Sequence, residues 1–99
     1  MDIMAFLEFD LEGSQKKFDL RKESILIGRS PEADLRFDDE EMSRKHCTIV
    51  KKGEQFFIRD ENATNGTFLN DQLLKPAELF ELKNEDELRI GNTFVTFRI

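Results

Sequence analysis

The 99-residue sequence has no tryptophan, no tyrosine, one cysteine and one histidine. A lone cysteine cannot close an internal disulfide, which fits a reducing compartment and leaves the fold to its core. With a single imidazole and a single thiol, no His/Cys cluster has the spacing that structural zinc requires, so neither a metal nor another cofactor is expected. Long apolar runs are also missing. The opening stretch MDIMAFLEFDLEG carries acids at 2, 8 and 10 and is too short in apolar residues for a signal peptide or a membrane span. The expectation is a soluble, cytoplasmic, monomeric chain with no membrane partner. Basic excess is absent as well: 15 Lys and Arg against 21 Asp and Glu give a net charge of −6. Nonspecific binding to a phosphate backbone needs a basic footprint over much of one face, so no nucleic-acid partner is expected. Any anion site must be local. Repeats, linkers and low-complexity segments are lacking too, and the length suits one domain, residues 1–99.

What is present is a succession of short apolar segments of period two, each closed by Gly, Asn or Asp. That is the punctuation of strands. Strands are expected at 3–10, 16–20, 24–28, 34–37, 47–52, 55–60, 67–70, 79–82, 86–91 and 93–99. Turn signals fall at 12–14, 51–54, 62–66 and 91–92, the last suggesting a two-residue hairpin. The one rival to strand, SPEADLRFDDEEMSRKH, does not sustain a 3.6 period and allows one helical turn at most. Many short strands with frequent turns indicate an all-β sandwich or barrel. The ten phenylalanines read as core, with one or two exposed, and Lys51, Lys52 and the acids at 38–41 as solvated charge.

In such folds the strands are the frame and the connections carry function. Three stand out: GRSPEAD (28–34), EEMSRKH (40–46) and DENATNGT (60–67). Together they hold an arginine, a Ser-Arg-Lys cluster and a Thr-Asn-Gly-Thr turn, which are hydrogen-bond donors almost throughout and suit an anion. Arg29 also reads as a surface ion-pair partner of Asp34 or Asp38. A nucleophile reading, with Ser43 or Cys47 served by His46, meets a geometric objection. In an extended segment residues three apart, and adjacent residues, point to opposite faces. No catalytic residue is therefore assigned.

Gly28-Arg29-Ser30, Ser43-Arg44-Lys45-His46 and Thr64-Asn65-Gly66-Thr67, followed by Asn70, resemble the motifs of the forkhead-associated (FHA) family of phosphothreonine-recognition modules. Ser43 follows Gly28 by fifteen residues and Thr64 follows Ser43 by twenty-one, and both intervals fit. The resemblance implies a sandwich of about eleven short strands in two sheets, with a phosphothreonine-containing partner held by the loops at one end. It implies phosphate contacts for Arg29, Ser43 and Thr64, a main-chain contact for Asn65, a phosphopeptide contact for Arg44, at a position where some members use asparagine to touch phosphate or peptide backbone, and added charge at the rim from Lys45. Gly28, His46, Gly66 and Asn70 take loop-structural roles, with Thr67 also shaping a turn. His46 would brace its loop from inside, and Cys47 would be a small buried strand residue.

The departures are three. Ala63 stands where the family often has serine. Asp71 replaces a usual glycine, and Glu41 stands two positions before Ser43, where some members place a base that selects an acid three residues after the phosphothreonine. The reversed charge at 41 leads to the expectation that an acid is disfavoured there. Ala63 and the net negative charge also keep open an alternative, an FHA-like scaffold that binds a partner independently of phosphate.

Overall fold

The computed structural model describes residues 4–99 as eleven strands in chain order: β1 Phe6–Leu11, β2 Ser14–Asp19, β3 Ser24–Gly28, β4 Leu35–Arg36, β5 Cys47–Lys52, β6 Gln55–Asp60, β7 Thr67–Leu69, β8 Gln72–Leu73, β9 Leu79–Leu82, β10 Glu87–Ile90 and β11 Thr93–Arg98. One sheet has the order β2-β1-β11-β10-β7-β8 and the other β4-β3-β5-β6-β9. The protein is an all-β sandwich. All pairings are antiparallel except β3 with β4. The stretch 30–46 contains no helical turn beyond two isolated hydrogen-bonded turns, Ser30 to Ala33 and Asp39 to Met42.

The period-two pattern becomes the core directly. In β6 the side chains of Phe56 and Ile58 point inward while Gln55, Phe57 and Arg59 do not, and in β11 Val95 and Phe97 do the same. Phe56 and Phe97 meet across the two sheets with ring centroids 5.4 Å apart, and Phe9 packs edge-on against Phe37 at 5.0 Å. Each such fully buried side chain contributes roughly 1.5–3 kcal/mol. Four of the ten phenylalanines are fully buried, five are half-buried and Phe94 is exposed. The wider expectation that nearly all are core is corrected, because outward positions of the strands also carry rings.

Strand ends differ from expectation where turn geometry decides. Of the first expected strand, Ile3 lies outside the described residues, and β1 starts at Phe6. Strand β2 begins early, at Ser14, because Glu12 and Gly13 (φ 52° and 83°) form a two-residue turn between Leu11 and its partner Ser14. The short strand β8 was not expected. It exists because Asn70 and Asp71 both take positive φ (48° and 70°), the requirement of a type I′ hairpin, which places Gln72 opposite Leu69. The hairpin expected at 91–92 is present, with Ile90 opposite Thr93.

Register sets where the loops go. Ile27 near the end of β3 pairs with Cys47 at the start of β5, and Cys47 pairs with Asp60 at the end of β6. The loops at 28–34, 40–46 and 60–67 therefore leave the same end of one sheet.

Candidate functional site

The first loop is seated by what Gly28 lacks. A Cβ there would overlap the carbonyl oxygen of Arg44 and lie 2.8 Å from its carbonyl carbon and 3.0 Å from the oxygen of Ser43. Glycine is needed for space, so that the main chain of the second loop can lie against the end of β3. Two bonds follow: Arg29 N–H donates to Ser43 O at 3.1 Å and Ser30 N–H to Arg44 O at 3.0 Å.

Arg29, half-buried, donates through Nε to Met42 O at 2.9 Å. That single bond fixes the plane of the guanidinium and leaves both terminal nitrogens without a protein partner among the described residues. The ion pair with Asp34 or Asp38 does not form, since Asp34 takes the Lys22 ammonium and the Leu26 N–H instead. Arg36, which no sequence motif includes, donates from Nε to Arg29 O at 2.9 Å and so braces the main chain of the first loop.

The second loop is built around His46, which is fully buried. Its Nδ1 accepts the Ser43 N–H at 2.9 Å, and its Nε2 lies 2.8 Å from Gly66 O, to which it must donate. The partners fix a neutral imidazole with its proton on Nε2. His46 braces the loop, and it also ties the second loop to the third. The premise of an extended segment is corrected here: residues 43–46 bend, so the imidazole turns back to Ser43 but reaches its main chain, not its hydroxyl. The Ser43 Oγ instead accepts the Thr64 N–H at 3.0 Å, which leaves the hydroxyl proton free to donate outward.

The third loop rests on the buried Asp60. Its carboxylate accepts the Thr67 hydroxyl at 2.6 Å and the Ala63 N–H at 3.3 Å, and Gly66, at φ 75°, closes the turn by donating to Ala63 O at 3.2 Å. Ala63 thus keeps both main-chain bonds without a serine hydroxyl. The Asn65 Nδ2 donates to Glu41 O and to Glu41 Oε2, each at 3.0 Å. Arg29, Ser43, Thr64 and Asn65 are therefore joined through three cross-linked loops, with Arg44 and Lys45 exposed on the middle one. Asn70 lies elsewhere. It shapes its turn at the far end of β7, where it binds Asp86 Oδ1 and the Glu87 N–H, both at 2.9 Å.

Of the acids at 38–41, Asp38 and Glu40 are exposed as expected, but Asp39 and Glu41 are more than solvated charge. Asp39 accepts from Glu41 N–H at 2.9 Å and from Asn92 N–H and the Thr93 hydroxyl at 2.8 Å, pinning the second loop to the β10–β11 hairpin. Partial burial works against its ionisation, but these donors outweigh it and hold its carboxyl below the usual value. Met42, 1% exposed, anchors the same loop in the core. In the sequence these two stand only as one of two aspartates in an acidic run and as the apolar residue that closes it.

Burial pushes the pKa of His46 below its ordinary 6.5. The unfolded chain then binds more protons than the native one between the lowered value and 6.5, so stability is complete above 6.5 and declines as the pH falls through that window. Urea denaturation at pH 7.5 and 5.5 should show lower stability at the lower pH, and the difference should vanish in His46→Gln. Because this is the only histidine, an unchanged midpoint in the wild type would contradict the assignment.

A family model described as the FHA domain matches residues 25–91. The chain belongs to the FHA-domain family. FHA domain-containing protein FhaA of Mycobacterium tuberculosis is 33% identical over 88 residues, which is 89% of this chain and 16% of that protein. The oxoglutarate dehydrogenase inhibitor of Corynebacterium jeikeium is 33% identical over 81 residues, 82% of this chain and 54% of that one. This FHA domain thus spans from about a sixth to about half of the length of these relatives. A solved structure from a structural and functional analysis of phosphothreonine-dependent FHA domain interactions superposes with a TM-score of 0.86 at 32% identity, covering 98% of this chain and 97% of its own.

Proposed function

We propose that this FHA domain is a non-catalytic module that binds phosphothreonine in a partner protein through the loops at 28–34, 40–46 and 60–67. The observation that carries the reading is the state of Arg29. Its Nε is spent on Met42 O, which fixes a guanidinium with two free nitrogens, and the next residue of that loop, Ser43, has a hydroxyl proton that is also free. A phosphoryl group has the planar pairs of oxygens that such a fork fits.

Arg29, Ser43 and Thr64 then hold the phosphate, Asn65 holds the peptide main chain through its amide, and Arg44 and Lys45 supply charge at the rim. Phosphothreonine brings nearly two negative charges and three strong acceptors, so the contacts exist only after modification. At roughly 1.5–3 kcal/mol for each bond to a charged group, three or four of them supply most of the roughly 8 kcal/mol of a micromolar complex once ordering costs are subtracted. The local cations do this despite the net charge of −6.

The lack of a catalytic role is supported by chemistry. The Cys47 thiol is fully buried and its pKa is pushed far up by that burial, so it is no nucleophile at neutral pH. Both ring nitrogens of His46 are spent on main-chain bonds.

Ser43→Ala tests the site. The variant loses one phosphate donor and also the acceptor of the Thr64 N–H, so affinity for a phosphothreonine peptide should fall by about three- to tenfold, about 0.7–1.4 kcal/mol. Titration of one peptide into both proteins reads it, and equal affinities would remove Ser43 from the site.

A further inference from the structure

We propose that Arg89 is a specificity-determining residue of this same site, a second cation that takes an acidic side chain of the ligand beside its phosphothreonine. The inference rests on the phosphothreonine reading above. Arg89 lies in the middle of β10, where its neighbours Leu88 and Ile90 are fully buried, so its own side chain projects from the outer face of the sheet. Register sets it opposite Phe68 of β7, and its guanidinium carbon stands 3.9 Å from the centroid of that ring. No described carboxylate is within ion-pair distance of it, although acids outnumber bases in the chain. An arginine stacked on an aromatic face keeps its in-plane N–H donors free and its side chain ordered, which lowers the entropy lost when a carboxylate arrives.

Position makes this cation part of the site. Arg89 and Phe68 line a cavity of about 390 Å³ together with Glu41, Asn65, Gly91 and Asn92. Asn65 is the residue assigned to the peptide main chain, so a ligand side chain close to the phosphothreonine enters this cavity. Glu41, on the same cavity, already accepts a hydrogen bond from the Asn65 amide through Oε2. Judged from residue 41 alone, an acid would be repelled. With Arg89 in place the balance reverses, because contact bonds between a carboxylate and a free guanidinium are short and charge-assisted, whereas repulsion from the exposed Glu41 carboxylate is screened by solvent. The acid-selecting cation has thus moved from the loop to the sheet.

The test is a set of phosphothreonine peptides with Asp, Ala or Lys placed in turn at each position flanking the phosphothreonine, titrated into the wild type, R89Q and E41Q. E41Q keeps an acceptor for Asn65 and removes only the charge. For the wild type, Asp at one position should bind about fivefold tighter than Ala there, the size of a single partly shielded ion pair. That ratio should fall to about one in R89Q and rise in E41Q. Should R89Q fail to fold, as its circular dichroism would show, the E41Q ratio decides. A wild type that prefers Lys, shows no preference at any position, or keeps its preference in R89Q would overturn the inference while leaving the phosphothreonine reading standing. No binding of any phosphothreonine peptide would overturn both.

Discussion

Arg29→Ala should lower the affinity for a phosphothreonine peptide by at least about tenfold, or 1.4 kcal/mol. The side chain is held by one bond from Nε to Met42 O, and the two terminal nitrogens have no other described partner. Truncation removes both phosphate donors together and breaks one bond within the protein, to the Met42 carbonyl, which the half-buried Arg29 side chain covers and which water can reach once that side chain is gone. The loss should therefore fall on binding and not on folding. Lysine is the informative comparison. Arg29→Lys restores the charge but neither the planar fork nor the Nε bond that aims it, so it should recover only part of the affinity. Calorimetric titration of one peptide into the three proteins reads the series. Arg29→Ala binding as tightly as the wild type would refute the site, and Arg29→Lys matching the wild type would refute the claim that geometry matters beyond charge.

Gly28→Ala should have the opposite signature, a loss of stability with binding lost alongside it. The added Cβ would overlap the Arg44 carbonyl, which is main chain and has no rotamer to give. Relief requires the second loop to lift from β3, and that breaks the Arg29–Ser43 and Ser30–Arg44 bonds that set the first two loops against each other. Overpacking of this kind costs about 1–3 kcal/mol and more where backbone must move. Gly53→Ala is the control. There φ is 62° and nothing lies within 4 Å of the added atom, so only the backbone strain of about 1 kcal/mol applies. Urea denaturation should place Gly28→Ala well below Gly53→Ala, and a Gly28→Ala midpoint equal to that of the control would contradict the close-approach account.

Much of this was legible in the sequence, for reasons that differ by residue. The alternation in QFFIRD and TFVTFRI announces one buried face, and the sandwich follows because two such faces must cover each other. The three loops could be picked out because donors were concentrated between strand segments. His46 was legible as a brace, yet its actual bonds, one to Ser43 and one to Gly66 twenty residues away, depend on a bend that strand periodicity does not express. Strand β8 was missed because Asn70 and Asp71 reach positive φ without the glycine that signals it. The structural role of Asp39 and the bond between Glu41 and Asn65 were hidden for another reason. An acidic run reads as solvent-facing until the partners on the β10–β11 hairpin and on Asn65 come near, and those partners are 53 and 24 residues away in the chain. Arg36 and Arg89 carried no motif at all. Only register, which sets Gly28 beside Arg36 and Phe68 beside Arg89, shows what they face.

The measurement that bears most directly on the central claim is calorimetric titration of the domain with a degenerate phosphothreonine peptide pool, run beside its phosphoserine and unphosphorylated counterparts. The chain contains neither tryptophan nor tyrosine to report binding by intrinsic fluorescence, so heat is the suitable signal. Saturable binding of the phosphothreonine pool, with none of the unphosphorylated one, is the predicted result. Equal binding of phosphorylated and unphosphorylated pools, or none of either, would contradict the account and favour a phosphate-independent scaffold.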